Sequence, residues 1–198
     1  AGFFEACGFT VALSEKSSRN LYFKGQHTVA SDTVCYPAKL AHGHIESLLD
    51  QNVDFIFYPC ESYNLDEHDS TNHYNCPVVA YYPELLKANN ERLNDANFIM
   101  PYVDLNDEKS TVRALKKALA KYKLSARQIK KGLAEGFSRL NAYYADIEEK
   151  GNEIIHLATK ENKPIVILAG RPYHIDPEIN HGIGKLLTSL GIAVLSED

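Results

Sequence analysis

The sequence contains no long apolar segment. Its 198 residues include no run near the roughly 18 apolar residues that a membrane-spanning helix needs, and no charged-then-apolar signal segment opens the chain. We therefore expect a cytoplasmic protein that does not enter a membrane. The 44% hydrophobic content is enough for one sizeable core.

An excess of positive charge is also missing. The formal net charge is −5, which argues against a surface for nucleic acid. The two pairs of adjacent lysines, at 116–117 and 130–131, fall on helical patterns, where a solvated helix face explains them. We expect no nucleic-acid partner.

Closely spaced cysteine pairs are absent too. The four cysteines are Cys7, Cys35, Cys60 and Cys76, and none forms the C-x-x-C pair of zinc ribbons or ferredoxin-like proteins. So few cysteines in this length give no disulfide framework, which favours a reducing compartment. Spacing alone does not identify a metal site, so the local context of each cysteine decides its interpretation.

Cys35 lies in the stretch that organises the chain, residues 31–44. Pro37 suits the first turn of a helix, because its missing N–H costs nothing there. Cys35 would then lie among the unpaired N–H groups of a helix N-terminus, a position that lowers the pKa of a thiol. The sequence predicts a ligand or nucleophile. The alternative is a buried cysteine that fills space.

Two further cysteines lie beside predicted strands. Cys60 follows the apolar run 53–59, which predicts a buried strand, and Cys76 precedes residues 77–80, which predict the start of another. Loops that leave the carboxyl ends of parallel strands converge on one edge of the sheet. Cys35, Cys60 and Cys76 could therefore meet in space, whereas Cys7, near a helix end, is interpreted as a small core residue.

Polar residues follow Cys35 on the predicted helix. Lys39, His42 and Glu46 fall on a different face from the apolar stripe of that helix, and Lys39, His42 and His44 could offer donors to a bound anion or charged cofactor. The alternative is that these imidazoles are exposed or act as caps. Gly43 inside a helix suggests that something approaches the backbone closely.

The segment 61–75 is polar and predicts a loop between two strands. His68 or His73 could supply another metal ligand, although solvated loop histidines explain them as well.

The remaining pattern predicts α/β architecture, with parallel-sheet Rossmann-like layers and a long connecting helix. We expect a cysteine-bearing domain over residues 1–124, a linking helix over 125–162 that begins at a Ser125 capping box, and the start of a second α/β domain over 163–198. A coiled-coil partner is the competing interpretation of the long helix.

The opening residues 1–8 predict a helix end closed by Gly8, then a strand over 9–13. Because no strand precedes that helix end, and because the sequence ends directly after its last predicted strand, we interpret the chain as a fragment whose second unit is truncated.

The second unit begins with an apolar strand, residues 164–170. Arg171, Tyr173 and His174 follow it, and Asp176 is predicted to N-cap a helix that runs to Gly191 before a last strand. A guanidinium and an imidazole just before a helix N-terminus suit a phosphate such as that of CoA. An ordinary capped connection is the alternative.

Residues 31–44, Cys60, Cys76 and the Gly-Arg-Pro-Tyr-His run within 170–181 resemble the domain of unknown function that accompanies CoA-substrate-specific enzyme activases. That domain is similar to the iron–sulfur subunits of 2-hydroxyacyl-CoA dehydratases, in which three cysteines hold a [4Fe–4S] cluster and one iron is left for a non-cysteine ligand or substrate. The resemblance implies that Cys35, Cys60 and Cys76 bind such a cluster. The Gly-rich phosphate loop that the family's ATP-driven activase portion needs is absent from this sequence.

The resemblance implies an iron–sulfur module for one-electron transfer in anaerobic acyl-CoA metabolism. Its partners would be the activase ATPase portion or a dehydratase-like subunit, and acyl-CoA could be a ligand. Part of a dehydratase-like lyase is the implied enzymatic role. The alternative is a non-enzymatic scaffold or zinc-binding module that docks an activase.

Overall fold

A computed structural model describes residues 1–66 and 71–197 of the chain. The helices are α1 (Gly2–Ala6), α2 (Arg19–Gly25), α3 (Tyr36–Asp50), α4 (Pro77–Asn89), α5 (Glu108–Ala118), α6 (Ala126–Lys160) and α7 (Ile183–Ser189). The strands are β1 (Ile56–Phe57), β2 (Cys60–Glu61), β3 (Phe98–Ile99), β4 (Tyr102–Val103), β5 (Ile165–Leu168) and β6 (Ala193–Ser196). This mixture of helices with parallel strand pairs confirms the predicted α/β class.

The described residues form two compact units. The first contains Ala1–Lys16 and Asn20–Gly136, and the second contains Ser17–Arg19 and the residues from Phe137 onwards. The long helix α6 contributes to both units. Its start is the predicted capping box, since the Ser125 N–H donates to Gln128 Oε1 at 2.9 Å and the Gln128 N–H donates to Ser125 Oγ at 3.2 Å. Among the described helices, including α6, none is both long and apolar enough to cross a bilayer.

Four short strands form one interrupted parallel ladder in the first unit. Strand β1 pairs with β3 and β2 with β4, and the N–H groups of Ile56, Tyr58 and Cys60 all donate to the opposite strand at 2.7–3.0 Å. Pro101 lies between β3 and β4 and has no N–H to return to the ladder, which explains the break there. The strand predicted from the apolar run 53–59 is thus confirmed in place by β1 and is shorter than expected.

The core of this ladder is covered by α3 and α4. Their buried side chains pack with the strands in one apolar cluster, which comprises Ala38, Ile45, Ile56, Tyr82, Leu86, Leu93 and Phe98. Helix α3 begins where residues 31–44 predict a helix start, and its predicted close approach at Gly43 is confirmed. A Cβ on Gly43 would lie 2.1 Å from the carbonyl oxygen of Leu21 in α2.

Two predicted strands of the first unit are wrong. Residues 77–80 begin helix α4 rather than a strand, because Cys76 is its N-cap and Pro77 its first residue, and the buried positions Ala80, Pro83 and Leu86 recur at helical spacing. The pair of β-branched valines suggested a strand, and packing against α3 overrides that preference. Residues 9–13 follow α1 without regular structure.

The second unit contains the predicted βαβ connection. Strands β5 and β6 pair in parallel, with Ile165 opposite Ala193 and Leu168 opposite Ser196. The predicted helix N-cap at Asp176 is wrong, because helix α7 begins at Ile183 after Gly182, whose φ of 77° lies in the left-handed region. The Asp176 carboxylate instead accepts from the N–H groups of Glu178 and Ile179 within a turn.

Candidate functional site

Cys35 and Cys76 occupy equivalent positions in the structure. Each is the N-cap of a helix, with nearly identical backbone angles of φ −62°, ψ 153° for Cys35 and φ −63°, ψ 154° for Cys76. A proline lies in the first turn after each one, Pro37 in α3 and Pro77 in α4. Both thiols are free and exposed. Each cysteine therefore lies beside the unpaired N–H groups of a helix N-terminus.

The two helices run in the same direction. His42 in α3 contacts Tyr82 in α4, and further along both helices Glu46 contacts Asn90, with polar atoms 2.9 Å and 2.6 Å apart. His42 lies seven residues after Cys35 and Tyr82 six residues after Cys76. At about 1.5 Å of rise per residue, the two N-caps therefore lie at similar heights at the same end of the helix pair.

Cys60 has a different environment. Its side chain is fully buried in β2, opposite Tyr102 of β4. Burial raises the pKa of the Cys60 thiol, and the negative charge of Glu84 adds to the increase, while hydrogen bonding to Tyr102 opposes it. Glu84 lies about two helical turns along α4 from Cys76, so Cys60 faces the middle of the helix rather than its start.

The three predicted cluster ligands differ in exposure. Cys35 and Cys76 are exposed at one end of the helix pair, and Cys60 is buried in the core. Within residues 1–66 and 71–197 there is no group of three or more His, Cys, Asp or Glu side chains that could hold a metal ion. The assignment of Cys35, Cys60 and Cys76 to one cluster therefore stays a prediction.

The remaining candidate metal ligands lie apart. Burial raises the pKa of the Cys7 thiol, which lies 3.7 Å from the carbonyl oxygen of Gln128 on α6. Cys7 is half-buried between α1 and α6, as the sequence indicates for a small packing residue. His73 pairs with Asp66 at 3.5 Å, and His68 falls outside the described residues.

His42 does not lie on a solvated face. It is only 1% exposed, and both ring nitrogens are engaged, Nε2 with Tyr82 at 2.9 Å and Nδ1 with Thr28 at 2.7 Å. Glu46 is buried as well, so the predicted polar face of α3 is wrong. Since its nitrogens are taken, His42 has no free ring nitrogen for a bound anion. The Lys39 ammonium folds back onto the carbonyl of Asp32 at 2.8 Å.

Sequence reasoning missed the partners of His42. Neither Tyr82 nor Thr28 carries a local signal that marks it as a partner of a histidine. One signal was available, because Ala38, His42 and Ile45 recur at i, i+4 and i+7, the spacing of a buried helix face. Counting His42 with the apolar stripe would have predicted a buried imidazole that needs two hydrogen-bond partners.

The Arg171 loop in the second unit lies on the surface. Arg171 and His174 are exposed, and the Arg171 N–H donates to Nδ1 of His174 at 2.8 Å. The Gly170 N–H donates to the Glu197 carboxylate at 2.9 Å, and Asp176 takes the next N–H groups. Carboxylates of the protein therefore already accept from several backbone N–H groups that a phosphate would use. Helix α7 begins at Ile183 and not at this loop.

Comparison with known proteins gives a family but no individual relative. No curated protein and no solved structure matches the chain. The model of one protein family, described as the CoA enzyme activase uncharacterised domain (DUF2229), matches residues 1–198. This match confirms the resemblance to the domain that accompanies CoA enzyme activases. Because the match spans the whole sequence, the chain belongs to the CoA enzyme activase uncharacterised domain family.

Proposed function

We propose that this domain is an iron–sulfur module of a 2-hydroxyacyl-CoA dehydratase or activase-like system, with Cys35, Cys60 and Cys76 as its ligands. The observation that supports this function best is the matched placement of Cys35 and Cys76 at two helix N-caps on the same end of α3 and α4. A cluster bound by both cysteines needs two free and exposed thiols, and Cys35 and Cys76 provide them in equivalent backbone positions.

The helix ends supply the electrostatics for thiolate ligands. Each N-terminus presents unpaired N–H groups and roughly half a positive charge, which favours a negatively charged ligand beside Cys35 and Cys76. Thiolates are the ligands that iron–sulfur clusters use, and N–H donors near the sulfurs tune the potential of a bound cluster. Free rather than paired cysteines also fit a protein of the reducing cytoplasm.

Cys60 is the third proposed ligand, and its thiol would have to lose a proton in order to bind iron. Burial and the Glu84 charge keep its thiol protonated, whereas a metal ligand must be deprotonated. A metal ion can provide that driving force, because its binding energy couples to proton release. We therefore expect Cys35 and Cys76 to bind iron first and Cys60 to complete the site.

A bound cluster would supply one-electron transfer to an acyl-CoA thioester, the electron coming from a partner activase portion. Within the second unit, Arg171 is the residue we propose to contact a CoA phosphate, since its guanidinium is exposed and matches phosphate oxygens in pairs. His174 positions the loop through its contact with the Arg171 N–H. Separately, within the first unit, Lys39 on α3 is the cation that we propose for an anion bound near Cys35.

The test is anaerobic reconstitution with iron and sulfide, followed by metal analysis and visible absorption. We expect stoichiometric iron and a broad thiolate-to-iron band that Cys35→Ser and Cys76→Ser abolish. Cys7→Ser is the matched control and should retain the band, with the far-ultraviolet circular dichroism of all variants unchanged. Cys60→Ser should lower the iron content and destabilise the remaining cluster.

Two results would contradict the cluster proposal. Full iron binding by both Cys35→Ser and Cys76→Ser would remove the proposed ligands. Stoichiometric zinc without iron uptake would instead support the zinc-binding scaffold that docks an activase.

A further inference from the structure

Four tyrosines are exposed in one region of the first unit. We call Tyr63, Tyr74, Tyr81 and Tyr102 the tyrosine patch, and their side chains are 40%, 68%, 48% and 50% exposed. Tyr63 and Tyr74 contact each other in a tilted arrangement, with ring centroids 4.4 Å apart and hydroxyls 2.7 Å apart, and Tyr81 and Tyr102 have centroids 6.1 Å apart. Strand β2, which ends two residues before Tyr63, pairs with strand β4, which carries Tyr102, so the two pairs are neighbours.

Backbone hydrogen bonds hold the patch in place. Tyr63 and Tyr74 face each other across an antiparallel bridge, flanked by bonds from the Asn64 N–H to the His73 carbonyl at 2.8 Å and from the Asn75 N–H to the Ser62 carbonyl at 3.0 Å. Tyr102 is part of strand β4 and Tyr81 part of helix α4. Ordered aromatic rings lose little further conformational freedom when a partner binds them.

The two chain segments that carry the patch contain acidic residues and no basic ones. The sequence contains no Lys or Arg between Lys39 and Lys87, and none between Arg92 and Lys109, and these two segments supply all four tyrosines. Carboxylates lie among the rings. The Tyr102 hydroxyl donates to Glu84, and Asp104 interacts electrostatically with both Tyr63 and Glu61.

We propose that the tyrosine patch is a docking surface for a protein segment rich in arginine and lysine. Ring faces attract guanidinium and ammonium groups, and the nearby carboxylates add charge complementarity. Exposed tyrosines that are already ordered are typical of the residues that dominate protein interfaces. The same negative charge would repel nucleic acid.

This docking surface does not depend on a bound cluster. Its rings and carboxylates are available in the chain as it folds, so metal-free protein can be used to test it. Loss of iron binding in the cysteine variants would therefore not contradict the docking proposal. Loss of peptide binding in the tyrosine variants would likewise not contradict the cluster proposal.

The experiment measures binding of a fluorescein-labelled peptide that alternates Arg with Gly to the metal-free 198-residue chain, by fluorescence anisotropy at low salt. We expect saturable binding that weakens about three- to tenfold in Tyr74→Ala and in Tyr81→Ala, the range typical of one lost cation–π contact. Tyr81→Phe keeps the ring and should bind like the unchanged chain. Added salt should weaken binding, because the carboxylates contribute to it.

A matched control is available on the long helix. Tyr143 is 54% exposed and lies beside Tyr144 with ring centroids 6.0 Å apart, so Tyr143→Ala removes an equally exposed, paired tyrosine outside the patch. Its peptide affinity should equal that of the unchanged chain. Equal affinity in Tyr74→Ala, Tyr81→Ala and Tyr143→Ala would overturn the proposal. So would equal binding of a peptide with Glu in place of Arg, which would show that the partner need not be cationic.

Discussion

The imidazole of His42 accepts a hydrogen bond from the Tyr82 hydroxyl through Nε2, across a distance of 2.9 Å. The direction follows from the other ring nitrogen. Thr28 Oγ1 gives its single proton to the Gly25 carbonyl at 2.9 Å, so it can only accept from Nδ1–H of His42 at 2.7 Å. His42 is therefore neutral with its proton on Nδ1, and a buried chain of three polar side chains links α3 to α4.

This chain predicts a pH dependence of stability. Burial lowers the pKa of His42 from 6.5 to about 4, with a smaller contribution from the charge of His27 that Glu46 partly opposes. Burial, together with Cys35 and Tyr58, raises the pKa of Tyr82 to about 12. The unfolded chain therefore binds a proton at His42 more readily than the folded chain does, and the stability is complete above pH 6.5 and decreases as the pH falls towards 4.

We expect the free energy of unfolding to decrease by about 2 kcal/mol across that interval because of His42, measured by urea unfolding at several pH values. His42→Gln cannot titrate and should show a shallower decrease, since the carboxyl groups titrate equally in both proteins. Parallel curves for the two proteins would show that His42 is not held neutral in the folded state.

The contact between α2 and α3 predicts a large effect of one methyl group. A Cβ on Gly25 would lie 2.2 Å from the Gly43 nitrogen, and a Cβ on Gly43 would lie 2.1 Å from the Leu21 carbonyl oxygen. Neither backbone atom can move aside easily, so Gly43→Ala should destabilise the protein by about 3 kcal/mol in urea unfolding.

Gly151 provides the matched control on helix α6. A Cβ there would meet nothing within 4 Å, so Gly151→Ala should stabilise the helix by about 0.5–1 kcal/mol through its higher helix propensity. Similar unfolding midpoints for Gly43→Ala and Gly151→Ala would contradict the close packing of α2 on α3.

The buried carboxylate of Glu46 predicts a strong dependence on Arg92. Glu46 is 3% exposed, and it accepts hydrogen bonds from the Arg92 guanidinium and from Asn90. Arg92→Met removes the positive partner and leaves a buried carboxylate without it. The free energy of unfolding, measured by thermal unfolding, should therefore decrease by about 2 kcal/mol. This is less than the loss for a fully buried ion pair, because Arg92 is partly exposed.

Lys150 supplies the comparison for that ion pair. It pairs with Glu153 on the surface of α6 at 2.8 Å, and Lys150→Met should leave the melting temperature nearly unchanged, because exposed ion pairs contribute little to stability. If both methionine variants melt at the same temperature, the Glu46 contact does not stabilise the core.

The different burial of the cysteines predicts their order of alkylation. Cys35 and Cys76 are exposed, whereas Cys60 is fully buried and its thiol pKa is raised. Iodoacetamide should therefore modify Cys35 and Cys76 first and Cys60 only after unfolding, as mass spectrometry of tryptic peptides can measure. Modification of Cys60 at the rate of Cys35 would mean that β2 is accessible in the native protein.

Local sequence signals predicted several elements of this fold correctly. Pro37 after Cys35 indicated the start of α3, Gly43 indicated a close helix contact, and Ser125 with Gln128 indicated the start of α6. Each of these signals depends on a few neighbouring residues, such as a missing N–H, a missing Cβ or a reciprocal cap. The family could likewise be predicted, because motifs such as the Gly-Arg-Pro-Tyr-His run can be recognised in the sequence without the fold.

Other features depended on contacts between distant segments. Residues 77–80 form a helix although their valines favour a strand, and Asp176 caps a turn although the pattern Asp-Pro suits a helix start. In both cases the local preference is weak, and packing or the competing turn decides the outcome.

The amino-acid sequence by itself determined the α/β class, the long helix and the helix start that follows Cys35. Only the tertiary structure decided which polar side chains are buried. His42 lies in the core because Tyr82 and Thr28, distant in sequence, satisfy both its nitrogens, and Cys60 is buried because its strand pairs with β4 and packs against α4. Burial of a polar group depends on partners from other segments, and one segment's periodicity contains no information about them.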